Sequence, residues 1–85
     1  MSVESVLDLN GYSGSYLAII EPWGEEFRID TDERCKLVAI HPKLPASFEV
    51  SWNAVGLIVW INQHGATFEF WRGASKEFSM PVPSL

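Results

Sequence analysis

From Ser47 to Val82, large apolar residues fall on every second position of most segments. Phe48, Val50 and Trp52 share one parity, as do Phe68 with Phe70, and Phe78 with Met80 and Val82. A repeat of two is the pleat of a β-strand with one buried face. Leu57 to Asn62 is apolar on both faces, which suits a central strand. Loop lengths then test the register. A four-residue loop at Asn53–Gly56 sets Val50 opposite Val59 and Phe48 opposite Ile61. A four-residue loop at Asn62–Gly65 sets Val59 opposite Phe68 and Leu57 opposite Phe70. A three-residue loop at Gly73–Ser75 sets Phe70 opposite Phe78 and Phe68 opposite Met80. Each choice keeps the large apolar residues on a shared face, and a slip of one residue destroys this. Such lengths are ordinary for hairpins. The pattern predicts a four-stranded antiparallel meander over residues 47–82. Its last strand, Lys76 to Val82, is an edge, because Pro81 and Pro83 cannot donate to a ladder.

The first half predicts three further strands, Tyr16 to Glu21, Glu26 to Asp30 and Cys35 to His41. Glu21-Pro22-Trp23-Gly24 suits a type I turn, with Pro second and Gly fourth. The resulting four-residue loop sets Ile20 opposite Phe27 and Ala18 opposite Ile29, and it leaves Glu21 facing Glu26, an unfavourable pair. Asp30-Thr31-Asp32-Glu33 reads as a second turn. Val3, Val6 and Leu7 recur at helical spacing behind Ser2, which predicts a two-turn helix at residues 2–9 or else a flexible arm. Gly11 to Ser15 reads as a loop. About seven short strands make an all-β chain, a small antiparallel β-sandwich or barrel whose first three strands oppose the meander.

Size agrees with one domain over residues 1–85. A chain of 9.6 kDa is expected to keep about 5,000 Å² of surface when folded, having buried roughly 64% of what it exposes unfolded. Aromatic residues at 13% argue against disorder, and the longest apolar run, Ala54 to Ile61, is too short to span a bilayer. A formal charge of −5 argues against binding nucleic acid through its phosphates. Cys35 stands alone, so no internal disulfide forms, and it reads as a buried, inert thiol. The first residues lack a basic stretch followed by an apolar run, so the expected compartment is the cytoplasm.

The residues that carry chemistry do not fall into a known constellation. His41 and His64, the only histidines, lie on separate elements, and there is no Cys-x-x-Cys, His-x-His or His-x-x-x-His pattern for zinc. Asp30-Thr31-Asp32-Glu33 lacks the twelve-residue spacing and central Gly of a calcium loop. No Gly-x-Ser-x-Gly elbow and no phosphate-cradling glycine loop occur. His64, in the Asn62–Gly65 loop, is a lone general-base candidate that reads more simply as a turn residue. The expectation is a non-enzymatic protein without metal or cofactor.

What remains is the outer face of the predicted meander. Most of it is polar, but it also carries Ile58, Trp60 and Trp71. A solvated Trp on a central strand calls for a cover. The cover is the N-terminal segment, a second copy of the chain or another protein, or a sugar ring stacked on the indole. Self-association through Ile58, Trp60 and Trp71 is the leading functional expectation. A second reading comes from residues 21–34, where Glu21, Glu25, Glu26, Asp30, Asp32 and Glu33 against Arg28 and Arg34, with Trp23 beside them, leave a net −4 that is most of the chain's −5. Such a patch fits an acidic inhibitor or immunity-type protein that binds a basic partner. A carbohydrate-binding module is the third. The aromatic face has acidic neighbours, Glu49, Glu69 and Glu77, which disfavours RNA.

Ile19-Ile20-Glu21-Pro22-Trp23-Gly24-Glu25, with a later Val38-Ala39 and Ile58-Val59-Trp60, resembles short uncharacterised bacterial proteins that share a Glu-Pro-Trp-Gly-Glu turn. The resemblance spans residues 17–72 and is specific only at the turn. Many members carry Pro-Pro-Gly where this chain has Thr31-Asp32-Glu33. It implies no activity. At that turn, Pro and Gly would aim the Trp23 ring reproducibly, back over the sheet edge.

Overall fold

The computed structural model describes residues 2–10, 12 and 14–80. Among them run eight strands and no helix: β1 (Val3–Asp8), β2 (Tyr16–Glu21), β3 (Glu25–Ile29), β4 (Cys35–His41), β5 (Ser47–Trp52), β6 (Leu57–Asn62), β7 (Thr67–Arg72) and β8 (Ser75–Ser79). They form two four-stranded sheets, ordered β1-β4-β7-β8 and β3-β2-β6-β5. The sheets do not close into a barrel, and the fold is a β-sandwich. Leu9, Ile20, Ile29, Leu37, Leu57, Val59, Phe68 and Phe70 are fully buried between them. The surface is 5458 Å², close to the value expected from mass.

The N-terminal helix is not formed. Residues Val3–Asp8 are an edge strand paired antiparallel to β4, with Val6 opposite Val38. Val3, Ser5 and Leu7 alternate as the less exposed residues, and Leu9 continues them into the core. Ser5 breaks the apolar alternation for a local reason: its hydroxyl accepts the Ala46 N–H at 2.9 Å. With a serine at an inward position, Val3, Val6 and Leu7 mimic a helical stripe.

The meander over residues 47–82 is also corrected. Both flanks of β6 are occupied, by β5 antiparallel and by β2 parallel, which leaves no edge for β7. The chain instead crosses at residues 63–66 to the other sheet, where β7 lies between β4 and β8. Leu57, Val59, Phe68 and Phe70 still meet in one core, but from opposing sheets. The first three predicted strands are likewise divided, β2 and β3 from β4. Two hairpin registers hold. Val50 faces Val59 and Phe48 faces Ile61 across β5–β6. Phe70 faces Phe78 across β7–β8. The second of these uses a two-residue turn, with Arg72 opposite Ser75, and a bulge between Phe70 and Trp71. Strand β8 ends at Ser79, short of the predicted Val82, and is an edge as expected. The Met80 N–H still reaches the Phe68 carbonyl at 3.1 Å. Pro81, Val82 and Pro83 lie outside the described residues.

The β2–β3 register differs by two residues from expectation, with Ala18 opposite Phe27 and Tyr16 opposite Ile29. Parity survives, so the same side chains face inward. Glu26 now stands opposite Ile19 and not opposite Glu21, which removes the expected acid pair. The turn is closed by the Gly24 N–H on the Ile20 carbonyl at 2.8 Å, one residue wider than a type I turn. Gly24 takes a φ of 77°, open to glycine at little cost. The parallel β2–β6 pair imposes its own requirement just before β6. A Cβ at Gly56 would run into the Leu17 carbonyl oxygen. No helix among the described residues is long and apolar enough to cross a membrane.

Candidate interaction surface

The sandwich separates the residues expected to share one aromatic face. Ile58 and Trp60 point outward from β6, in the second sheet. Trp71 points outward from β7, in the first. The single Ile58/Trp60/Trp71 face therefore does not exist. Trp71 is also engaged within its own sheet. Its indole N–H donates to Glu69 Oε1 at 2.9 Å, and the Lys36 and Lys76 ammonium groups lie 5.2 and 6.0 Å from its ring centroid. Cations over an indole face are attracted by the ring quadrupole, so this Trp is a structural part of its surface.

Among the described residues, Trp60 has no comparable cover. It is 42% exposed on a central strand. Parallel pairing places Ile19 beside Ile58 and Glu21 beside Trp60, while Glu49 lies opposite Trp60 on β5. Leu17, Ile19, Ile58 and Trp60 thus make an apolar band along the outer face of β2 and β6. Next to it, β5 exposes more apolar surface. Val50 is 39% and Trp52 is 52% exposed, although both belong to the inward-facing row. An edge strand is covered from one flank only, so its inward side chains remain partly open to water. Trp52 leans on Tyr12 and Tyr16, with edge-on ring centroids 5.3 and 5.4 Å away. Leu44, before β5, and Val55, in the β5–β6 turn, are exposed as well.

Beside Trp60 lies a groove of about 450 Å³, lined by Trp23, Trp60, Asn62, Gln63 and His64 among others. Trp23 folds back as the turn geometry suggested, with its ring centroid 4.9 Å from that of Phe68. The Gln63 amide donates to the Pro45 carbonyl at 3.1 Å. The two histidine segments, separate in sequence, meet here. His41 Nδ1 accepts the N–H groups of Lys43 and Leu44 at 3.0 and 2.9 Å, and Nε2 lies 3.1 Å from the His64 carbonyl. A ring nitrogen that accepts two N–H groups carries no proton, so Nε2 is the donor. His41 ties the β4–β5 loop to the β6–β7 crossing. No grouping of His, Cys, Asp and Glu suited to a metal occurs among the described residues.

The acidic segment is spread out and partly neutralised. Glu25 and Glu26 are exposed on β3. Asp30 lies 3.5 Å from Arg28, and Asp32 takes a φ of 70° in the following turn. Glu33 Oε1 accepts the Asp30 N–H at 2.7 Å and meets Arg72 Nη1 at 2.6 Å. These contacts, the backbone N–H first and Arg72 after it, hold the Glu33 carboxyl below its ordinary range. Arg72 also binds Glu77 through Nε at 2.7 Å and the Arg28 carbonyl through Nη2 at 3.0 Å. It thereby joins β3, the β3–β4 turn, β7 and β8. Sequence reading passed over Arg72, because its partners come from both sheets. Cys35 is buried, and burial pushes its thiol up more strongly than nearby Arg72 pulls it down.

Comparison with protein-family models, curated proteins and solved structures finds no match.

Proposed function

We propose that this chain works by protein contact, as a self-associating β-sandwich, through the flank formed by β5 and β6. One observation carries the reading. Six large apolar residues are exposed among those described, and five of them (Leu44, Val50, Trp52, Val55 and Trp60) belong to β6, β5 or the loops on either side of β5. Scattered exposed hydrophobes are normal on a monomer, whereas a concentration of them along one flank of the sandwich marks an association surface. The residues suited to chemistry support the same reading. His41, Glu33 and Arg72 use their polar atoms to tie loops together, and Cys35 is a buried thiol. Sedimentation of the intact chain at micromolar concentration tests this. A mass above that of one chain, reduced by Trp60→Ser or Trp52→Ser, is expected. A monomer whose mass and stability neither substitution alters refutes the reading.

A second reading rests on the groove that brings Trp23 and Trp60 together beside the Asn62 and Gln63 amides. Flat aromatics with amide groups suit a sugar ring. Saccharide titration that quenches tryptophan fluorescence, and loses that quenching in Trp60→Ser, supports it. Silence across a glycan array removes it. The acidic-inhibitor reading draws less support, since Arg28 and Arg72 engage Asp30 and Glu33 and leave Glu25, Glu26 and Asp32 dispersed.

A further inference from the structure

We infer that two copies of this chain pair edge to edge through β5, antiparallel about a two-fold axis at Val50, so that the second sheet continues from one subunit into the next. The inference rests on the self-association reading and specifies its geometry. Four strands end the two sheets: β1, β8, β3 and β5. Charges or irregularity protect three of them. β1 carries Glu4 and Asp8, β3 carries Glu25 and Glu26, and β8 carries Lys76 and Glu77 beside a bulge. Charged side chains and bulges are the usual devices that keep an edge from pairing. β5, Ser47-Phe48-Glu49-Val50-Ser51-Trp52, has one charge, no proline and an unbroken register with β6.

The hydrogen-bond parity of β5 fixes which groups its free edge presents. The Asn53 N–H bonds the Gly56 carbonyl at 3.0 Å, so Asn53 and Gly56 are a hydrogen-bonded pair. Antiparallel ladders alternate, which makes Ser51 with Ile58 and Glu49 with Trp60 the next such pairs. The backbone N–H and C=O groups of Phe48, Val50 and Trp52 therefore point away from β6, with no strand beyond them among the described residues.

Three two-fold registers pair at least two of those residues with the same set on a second copy and keep the inward faces together. Centring on Glu49 sets two carboxylates opposite one another, which is destabilising. Centring on Ser51 pushes Phe48 against the partner's Ala54, in the turn. Centring on Val50 pairs Val50 with the partner's Val50, Phe48 with the partner's Trp52 and Trp52 with the partner's Phe48. Glu49 then faces the partner's Ser51. This register alone uses every outward group of the strand, sets aromatic against aromatic and opposes no charges. It covers Val50 and Trp52, the inward-row residues that β5 leaves open.

Because Val50 lies on the axis, charge at that position is diagnostic. Val50→Lys and Val50→Glu each place like charges together, and each is expected to sediment as monomer, with association weakened about tenfold or more. Mixing the two variants restores a dimer of mixed composition. Val50→Pro removes the outward N–H without touching a β5–β6 bond, so it gives a folded monomer, checked by an unchanged strand signal in circular dichroism. If the wild-type dimer persists in Val50→Lys but dissociates in Trp60→Ser, the edge geometry is wrong while self-association stands. If the charged variants dissociate and their mixture does not recombine, the Val50 axis is wrong. A wild-type monomer throughout overturns both.

Discussion

Phe27 on β3 lies flat against Phe70 on β7, with ring centroids 4.2 Å apart and planes 9° from parallel. The two rings come from opposite sheets, so this stack joins the halves of the sandwich. Phe78 meets Phe27 edge-on at 5.5 Å, and Phe68 lies 5.3 Å from Phe78. Of these four rings, Phe27 is the one contributed by the second sheet, and Phe27→Ala removes it. It is expected to destabilise the fold by about 3 kcal/mol, whereas Phe27→Leu keeps most of the buried volume and costs about half as much. Urea unfolding checks both, as a lowered midpoint at unchanged slope.

Gly56→Ala tests the close approach of the β5–β6 turn to β2. The added methyl group meets the Leu17 carbonyl, a backbone atom held in the sheet, so relief requires shifting β2 against β6. The expected cost is about 1–3 kcal/mol. Gly14→Ala is a fair comparison, since nothing lies near its Cβ position and only its φ of 77° penalises the change.

Glu33 makes stability depend on acid. Its folded carboxyl sits below the ordinary value of 4.5, chiefly through the Asp30 N–H and then through Arg72. A depressed carboxyl contributes stability that is present above the unfolded value and is lost as pH falls through the folded one. Unfolding midpoints at about pH 6 and about pH 3 should therefore differ more for wild type than for Glu33→Gln. Equal differences would show that the Glu33 contacts add nothing.

The alkaline side is governed by Tyr16. Burial first, then Tyr12, then Cys35, push its hydroxyl up from 10.0 to about 12. Its O–H donates to the Leu9 carbonyl at 2.5 Å. A raised value contributes stability that is present below pH 10 and disappears as pH rises through 12. Tyr16→Phe should cost about 1–2 kcal/mol at neutral pH and remove this part of the alkaline decline. Tyrosinate absorbance during a pH titration reads the shifted group directly.

Cys35 offers a simple probe of opening. The side chain is buried and its thiol is pushed up by that burial, so the thiolate is scarce and shielded. A disulfide-exchange reagent is expected to label it only at the rate at which the native state opens, in step with urea concentration. Fast labelling without denaturant would contradict the packing.

Much of the fold was readable locally. The inward parity of β2, β3, β5, β7 and β8 followed from alternation and the β5–β6 register from loop length, while the expected Phe70–Phe78 pair is met only because a bulge makes up for a turn one residue shorter than expected. The β6–β7 connection did not, because a hairpin and a crossing between sheets send Val59 and Phe68 into the same core. Alternation reports which side of a strand is buried, but not which sheet buries it. The same ambiguity split Trp60 from Trp71. At the N-terminus Ser5 hid a strand by satisfying an inward position with a hydrogen bond. The parallel β2–β6 pair left no local trace, since nothing in Ala18 or Leu57 names its partner. Exposure at Val50 and Trp52 was missed for a related reason: inward parity implies cover only where the neighbouring flank is occupied.

The order of strands has a cost during synthesis. The first sheet waits for β7 to slide between β4 and β8, and the second waits for β6 to lie beside β2. The second layer is complete only once residue 62 has left the ribosome and the first only once residue 79 has, so no leading fragment that ends before β7 can close a core. Severing the chain in the loop between β4 and β5 would leave two pieces that each hold half of both layers, and both should stay unfolded until they are mixed.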